Sequence, residues 1–226
     1  MAEKTAVLIP SFNEAKTIGG IVERLKGAGW EDVYVVDDGS SDGTASIAGA
    51  KGARVISSAS NKGKGVSLRE GFSRILKEGF DRVLVMDGDG QHSIDDIGRF
   101  YAKMDETGAG IVVGNRMSAT RKMPFLRIIV NHFMSYLISV VSGQSIPDTQ
   151  CGFRLIKKEA LKNICLEASY FETESELLIK AARSGCKIES VPVKTVYSDE
   201  TSSIRPIKDT IRFMAFMLKL VFAGKR

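Results

Sequence analysis

The run VLVMDGDGQH, Val83 to His92, sets two carboxylates, Asp87 and Asp89, one residue apart where an apolar, β-branched stretch breaks into glycines. Strand alternation is lost at Gly88 and Gly90, so the chain can curl until both carboxylates and the amide oxygen of Gln91 face one point. Ligands that are all oxygen suit a hard divalent cation, Mg2+ or Mn2+. Such ions keep several waters and bind through one or two carboxylates plus substrate phosphates. Asp89, Gln91 and Asp87 are therefore the candidate metal set, and the chemistry it serves is the holding of a diphosphate. Taken alone, the same residues also make a polar turn that ends a strand, so the surrounding chain has to decide.

The elements that position this loop are short β-rich runs alternating with helical patterns. Thr5 to Ile9, Val33 to Asp37, Arg54 to Ser57, Arg82 to Asp87 and Gly110 to Val113 read as strands. Between them, Leu68, Phe72, Ile75 and Leu76 recur at helical spacing with Gly79 as C-cap, and Asn13 and Asp42 stand where N-caps belong. Such alternation predicts right-handed crossovers and an α/β fold whose mainly parallel sheet is covered on both faces. In such sheets ligands bind beyond the carboxyl ends of the strands. Three of those ends carry polar chemistry: Ser11 to Glu14, Asp37 to Ser40, and Asp87 to Gln91. The second half is less regular: Met123 to Val141 is apolar, Phe153 to Ile156 reads as a strand, Phe171 to Arg183 as a helix, Lys187 to Val196 as a strand and Ile204 to Phe222 as a closing helix.

At 226 residues with 43% apolar content, the chain has room for one catalytic domain with an appended segment. Cys151, Cys165 and Cys186 lack metal-site or C-x-x-C spacing and read as reduced thiols, which predicts a cytoplasmic protein. No uninterrupted apolar run approaches the roughly 18 residues that span a bilayer, so the expectation is a peripheral protein rather than a transmembrane one. Charge is uneven. From Ser203 to Arg226 six basic residues face one acid, and between Ile111 and Pro147 there is no acid at all while Arg116, Arg121, Lys122 and Arg127 are present. No recognition-helix, RNP or zinc pattern accompanies these charges, which argues against nucleic acid and for a phosphate-bearing substrate.

In order, VLIPSFNEAKTI, VVDDGSSDGT, NKGKGVSLREGF, VMDGDGQH and GNRM resemble the motif series of the family 2 glycosyltransferases, in particular the polyprenyl- and dolichyl-phosphate sugar synthase branch. The resemblance implies a GT-A fold over residues 1–203, a Rossmann-like sheet with helices on both faces, and inverting transfer from a nucleotide-diphosphate sugar with a divalent metal. Residue by residue, it assigns Pro10, Phe12 and Glu14 to the first nucleotide-binding motif, and Val36 and Asp38 to the second. Asp87, Gly88, Asp89 and Gln91 match the diphosphate and metal motif, and Arg116 a phosphate-contacting arginine. A carboxylate at Asp38 accepts equally from uracil or guanine, and Tyr197 to Ile204, which matches a loop that is basic in dolichyl-phosphate mannose synthases, carries no basic residue. The donor thus stays open between GDP- and UDP-sugars.

A polyprenyl phosphate acceptor is already anionic and needs cations rather than a base; Arg127, Arg121 or Arg154 can supply them. A hydroxyl acceptor instead requires a base from Asp148, Glu172 or Glu174. His92 and His132 read as structural, His92 orienting the metal loop. Residues 204–226 form an expected basic amphipathic helix that, with Met123 to Val141, suits the inner membrane face, with a membrane-protein subunit as a further partner. Haloacid dehalogenase-type phosphatases share the D-x-D-G signature, but they place threonine where Gln91 stands and use their first strand. A non-catalytic membrane-binding module is the remaining alternative, and it predicts no nucleotide binding.

Overall fold

The computed structural model describes residues 3–118, 123–162, 164–170, 172–194 and 213. In chain order these form β1 (Thr5–Ser11), α1 (Ile18–Gly27), β2 (Val33–Asp37), α2 (Thr44–Ala50), β3 (Arg54–Ser57), α3 (Lys64–Lys77) and β4 (Arg82–Val85). A short 3-10 turn (Ile94–Asp96) precedes α4 (Ile97–Thr107), and β5 (Ile111–Asn115), α5 (Phe125–Ser142), β6 (Arg154–Lys157), α6 (Lys158–Lys162), α7 (Glu172–Arg183) and β7 (Ile188–Pro192) follow.

The strands make one seven-stranded sheet in the order β3-β2-β1-β4-β6-β5-β7. β1, β2, β3 and β4 are mutually parallel, as are β5 and β7, whereas β6 pairs antiparallel with both β4 and β5. The expected mainly parallel sheet is therefore present. Both faces are covered, which is why VYVVD of β2 is buried at every position instead of alternating. The apolar face read on α3 packs inward through Leu68, Phe72 and Ile75, and Gly79 follows the C-cap Glu78 at φ 82°, the left-handed turn that ends a helix.

The reversal of β6 matters most for the site. β5 leaves the sheet at its carboxyl edge, and α5 carries the chain to the amino edge, where Gln144 bonds the Cys186 carbonyl and the Ile188 N–H at the start of β7. Residues 146–149 then climb back along α5 through Ser139, Ser135 and Asn131, so β6 enters the sheet from the carboxyl edge and runs down. Residues 148–153 therefore lie beside the ends of β4 and β5.

The expected N-caps do different work. α1 starts after Thr17 and α2 after Gly43, neither with a side-chain cap. Asn13, at φ 57°, gives its N–H to Ser40 Oγ (2.8 Å) and accepts the Ser41 N–H (3.0 Å). Asp42 accepts from the Ala15 N–H at 3.0 Å and from the Thr44 N–H at 3.1 Å. Both residues stitch the loop after β1 to the loop after β2.

α5 corrects another expectation. It is long and apolar enough to cross a membrane, although Asn131, His132 and Ser135 interrupt any uninterrupted apolar run. Its buried side is Asn131, Met134, Ser135 and Ile138, while Phe125, Leu126, Ile129, Phe133, Tyr136 and Val140 face outward. Of the expected closing helix, Phe213 alone is described, and its side chain is buried in the main core; the remainder of residues 204–226 lies outside the described residues, as do Arg121 and Lys122.

Candidate active site

The ends of β1, β2 and β4 converge as the alternation requires. Gly88 is where two of them touch: a β-carbon there would stand 2.7 Å from Ser11 Oγ and 3.3 Å from Glu14 Cγ, and the Thr17 hydroxyl donates to the Gly88 carbonyl at 2.6 Å. Only glycine permits that approach. Phe12 projects from the same loop and is 44% exposed, whereas Pro10 and Val36 are neighbours in register, buried in the sheet beneath. Asp38, also buried, accepts the Lys62 and Gly63 N–H groups at 2.8 and 2.7 Å, one on each oxygen. It orders the loop that opens α3. Its neighbour Asp37 is buried with Oδ1 unpartnered among the described residues.

At the end of β4 the two carboxylates have opposite surroundings. Asp87 Oδ1 receives the Lys64 ammonium at 2.6 Å, and Oδ2 lies 3.1 Å from His92 Nε2. Burial alone would raise the Asp87 pKa, yet Lys64 and His92 hold it well below the ordinary carboxylate range. Lys64 also meets Glu174 Oε1 at 2.6 Å, so two carboxylates outweigh burial and keep its ammonium charged. A β-carbon at Gly152 would collide with the Asp87 carboxylate. The backbone brought up by the reversed strand thus walls in this side. His92 is buried and its ring lies 5.0 Å from that of Phe153, which fixes its angle on Asp87.

Asp89 has only the Gln91 N–H as a described hydrogen-bond partner, at 2.9 Å on Oδ1. Burial, then the charge of Asp87, raise its pKa. Its negative charge is costly as the protein stands, and a cation would relieve it. Among the described residues no group of three or more His, Cys, Asp or Glu side chains could hold a metal by itself. Asp89, short of counter-charge, fits as the protein carboxylate of an ion of the magnesium type, which takes one or two carboxylates and completes its shell with water and phosphate.

Arg116 and Asp148 form a second centre. The Arg116 backbone N–H and Nε donate to Asp148 Oδ2 at 3.0 and 2.8 Å, and Nη2 donates to Oδ1 at 3.0 Å. Asn131 of α5 adds a fourth bond to Oδ1 at 2.9 Å. Burial opposes both charges, but each partner holds the other ionised, and the Asp148 pKa is lowered. Asp148 is thereby committed to Arg116 and is not placed to act as a base. Arg154 is likewise spent: it donates to the carbonyls of Cys151, Glu174 and Thr149 at 2.9, 3.0 and 2.8 Å. Glu174 is held between Lys64 and Arg154. Half-buried Glu172 begins α7, half-buried Arg127 lies in the first turn of α5, and His132 is exposed outside the site.

Lys64 and Asn131 are the residues that sequence reasoning passed over. The signal for Lys64 is its place between two glycines at the start of a helix, in a loop that faces two acidic strand ends. For Asn131 it is a lone amide in an apolar helix.

The carboxyl edge of the sheet thus gathers an under-compensated carboxylate, Asp89, beside the paired Asp87, a fixed Arg116–Asp148 ion pair and the exposed ring of Phe12. The chain matches Glycosyl transferase family 2 over residues 6–165 and belongs to that family; it is a glycosyltransferase. It is 31% identical over 247 residues to the UDP-N-acetylglucosamine–dolichyl-phosphate N-acetylglucosaminyltransferase of Methanococcus voltae, covering 97% of this chain and 98% of that one. It is 28% identical over 204 residues to the polyprenol monophosphomannose synthase of Mycolicibacterium smegmatis, covering 84% and 77%. Among solved structures, mannosyl-3-phosphoglycerate synthase from Rubrobacter xylanophilus aligns with a TM-score of 0.75 at 18% identity, covering 99% of this chain and 76% of that one. The glucosyl-3-phosphoglycerate synthase of Mycobacterium tuberculosis, in complex with Mn2+, UDP and glucosyl-3-phosphoglycerate, aligns at 0.73 with 18% identity, covering 98% and 80%. The fold is that of the GT-A glycosyltransferases.

Proposed function

We infer that the protein transfers a sugar, with inversion, from a GDP- or UDP-sugar to a polyprenyl phosphate at the cytoplasmic membrane face. The observation that carries this reading is the unequal carboxylate pair that follows β4: Asp87 paired on both oxygens, Asp89 half-buried and under-compensated. Phe12 stacks on the base, while Pro10, Glu14, Val36 and Asp38 shape the nucleoside end. Asp89 and Gln91 would hold Mg2+ or Mn2+, which would supply positive charge where the leaving diphosphate gains negative charge. Arg116, held rigid by Asp148 and near enough to Asp87 for their charges to interact, is proposed to add a preorganised cation there, so little reorganisation accompanies charge transfer.

The acceptor oxygen attacks the anomeric carbon in line as the bond to the diphosphate breaks and its electron pair departs with the nucleotide. A phosphate acceptor needs no base. That suits a site in which Asp148 and Glu174 are both committed to ion pairs. Arg127, in the first turn of α5, is the cation proposed to position that phosphate. The outward face of α5, with Phe125 77% and Tyr136 67% exposed and no acid along the helix, supports a peripheral seat in an anionic headgroup layer. The basic segment 204–226 is proposed to add to that seat, alone or with a membrane-protein subunit.

Thermal stabilisation tests the donor assignment, because a ligand of the native state raises stability by mass action. UDP or GDP with Mn2+ is expected to raise Tm and Mn2+ alone to do so much less; no shift with either nucleotide would contradict the reading.

A further inference from the structure

Lys64 is the most heavily engaged side chain that the transfer chemistry leaves unexplained. It rises from the first residue of α3, is mostly buried, and sits 2.6 Å from both Asp87 Oδ1 and Glu174 Oε1. Because His92 lies 3.1 Å from the other Asp87 oxygen, both oxygens of the first carboxylate in the D-x-D pair are occupied by side chains. Glu174 cannot turn away to release the lysine cheaply, since Arg154 stands 3.6 Å from its second oxygen. Within the D-x-D pair, Asp89 is the carboxylate left with an oxygen for an ion. A single carboxylate and an amide hold a hard divalent cation weakly, since such an ion normally draws on one or two carboxylates plus substrate phosphates.

We propose that Lys64 withholds Asp87 from the metal and so makes metal binding depend on the nucleotide. This inference rests on the nucleotide-sugar reading of the site and adds a binding order to it. The ion and the nucleoside diphosphate enter as a unit, each supplying what the other lacks: the diphosphate brings oxygens to the ion, and the ion neutralises the diphosphate beside Asp89. Lys64 is in this sense a positioning residue that acts through Asp87. By linkage the coupling is reciprocal, so the ion tightens nucleotide binding by the factor by which nucleotide tightens the ion.

The test is Mn2+ binding to the full chain, followed by the EPR signal of free Mn2+, with and without saturating UDP or GDP. Wild type is expected to bind Mn2+ at least tenfold more tightly with one of the two nucleotides than without. Lys64→Met, which releases Asp87, is expected to bind Mn2+ markedly better without nucleotide, so that the coupling shrinks. Lys64→Arg, which keeps a cation on Asp87, is expected to retain most of the coupling. Asp87→Asn gives a second line should Lys64→Met not fold: with Asp87 outside the ion's shell, this variant keeps the nucleotide-dependent gain. Undiminished coupling in Lys64→Met, or coupling abolished in Asp87→Asn, overturns the proposal while leaving the nucleotide site standing. Asp89→Asn must lose Mn2+ binding in every case. Failure of wild type to bind Mn2+ even with both nucleotides overturns the underlying reading and the proposal together.

Discussion

Asp89 is where function and stability pull apart. Its pKa is raised by burial and by Asp87, so its ionised form costs stability at any pH above its native pKa, and the cost vanishes below the unfolded value near 4. Asp89→Asn is therefore expected to leave Tm at pH 7 equal or higher, a gain that disappears as pH falls through the carboxylate range. The same substitution should lower transfer by about a hundredfold or more, the scale of losing one electrostatic stabiliser of the leaving charge; near wild-type turnover would remove Asp89 from the metal. Asp148 behaves oppositely. Its lowered pKa means that its contribution is full above the ordinary carboxylate value and is lost only as pH falls through the lower native one. Asp148→Asn leaves Arg116 buried without its counter-charge and should cost roughly 3–5 kcal/mol in a urea melt at pH 7, with a flatter acid limb. The carboxylates of the D-x-D run were legible because their chemistry is local. The Arg116–Asp148 pair was not, since its members are 32 residues apart and meet only after the chain has turned back.

The turning back belongs to elements. The first four strands announce themselves by β-branched runs and helical spacing, and the sheet follows that pattern. β6 reads the same from its composition whichever way it runs, so only its partners fix its direction, and with it the approach of Gly152 to Asp87 and of Asp148 to Arg116. α5 was ambiguous for a related reason: apolar residues go all round it, and which side is buried is decided by Asn131 and Ser135, whose polar groups need Asp148 and Thr149. The inward side is polar enough to bond and the outward side is apolar. Replacing Phe133 and Tyr136 by serine should leave Tm nearly unchanged, because both face outward, yet weaken sedimentation with anionic vesicles at least tenfold, given ~1.5–3 kcal/mol for each large apolar side chain fully buried. Ile138→Ala, on the inner side of the same helix, should instead cost about 2–5 kcal/mol of folding stability. Vesicle binding unaffected by the outer pair would remove α5 from the membrane seat.

At the scale of the whole molecule, one edge of one sheet gathers everything. The loops after β1, β2 and β4 enter from the parallel half, the loop before β6 from the other, and α5 carries the edge toward its apolar flank. On the proposed function, donor chemistry and a lipid-borne phosphate meet at this edge without the acceptor's tail leaving the membrane. Family membership follows from motifs that a sequence displays openly, whereas the sugar and the base do not: Asp38 holds backbone N–H groups of its own chain, and no side chain described at the nucleoside end selects between uracil and guanine. The most direct measurement is transfer of radiolabelled sugar from UDP- and GDP-sugars into polyprenyl phosphate held in anionic vesicles, with Mn2+, for wild type and Asp89→Asn. The account predicts label in the lipid fraction from one nucleotide class, dependent on Mn2+ and absent in Asp89→Asn. Label that reaches only a hydroxyl-bearing acceptor, or that enters the lipid equally well in Asp89→Asn, would contradict it.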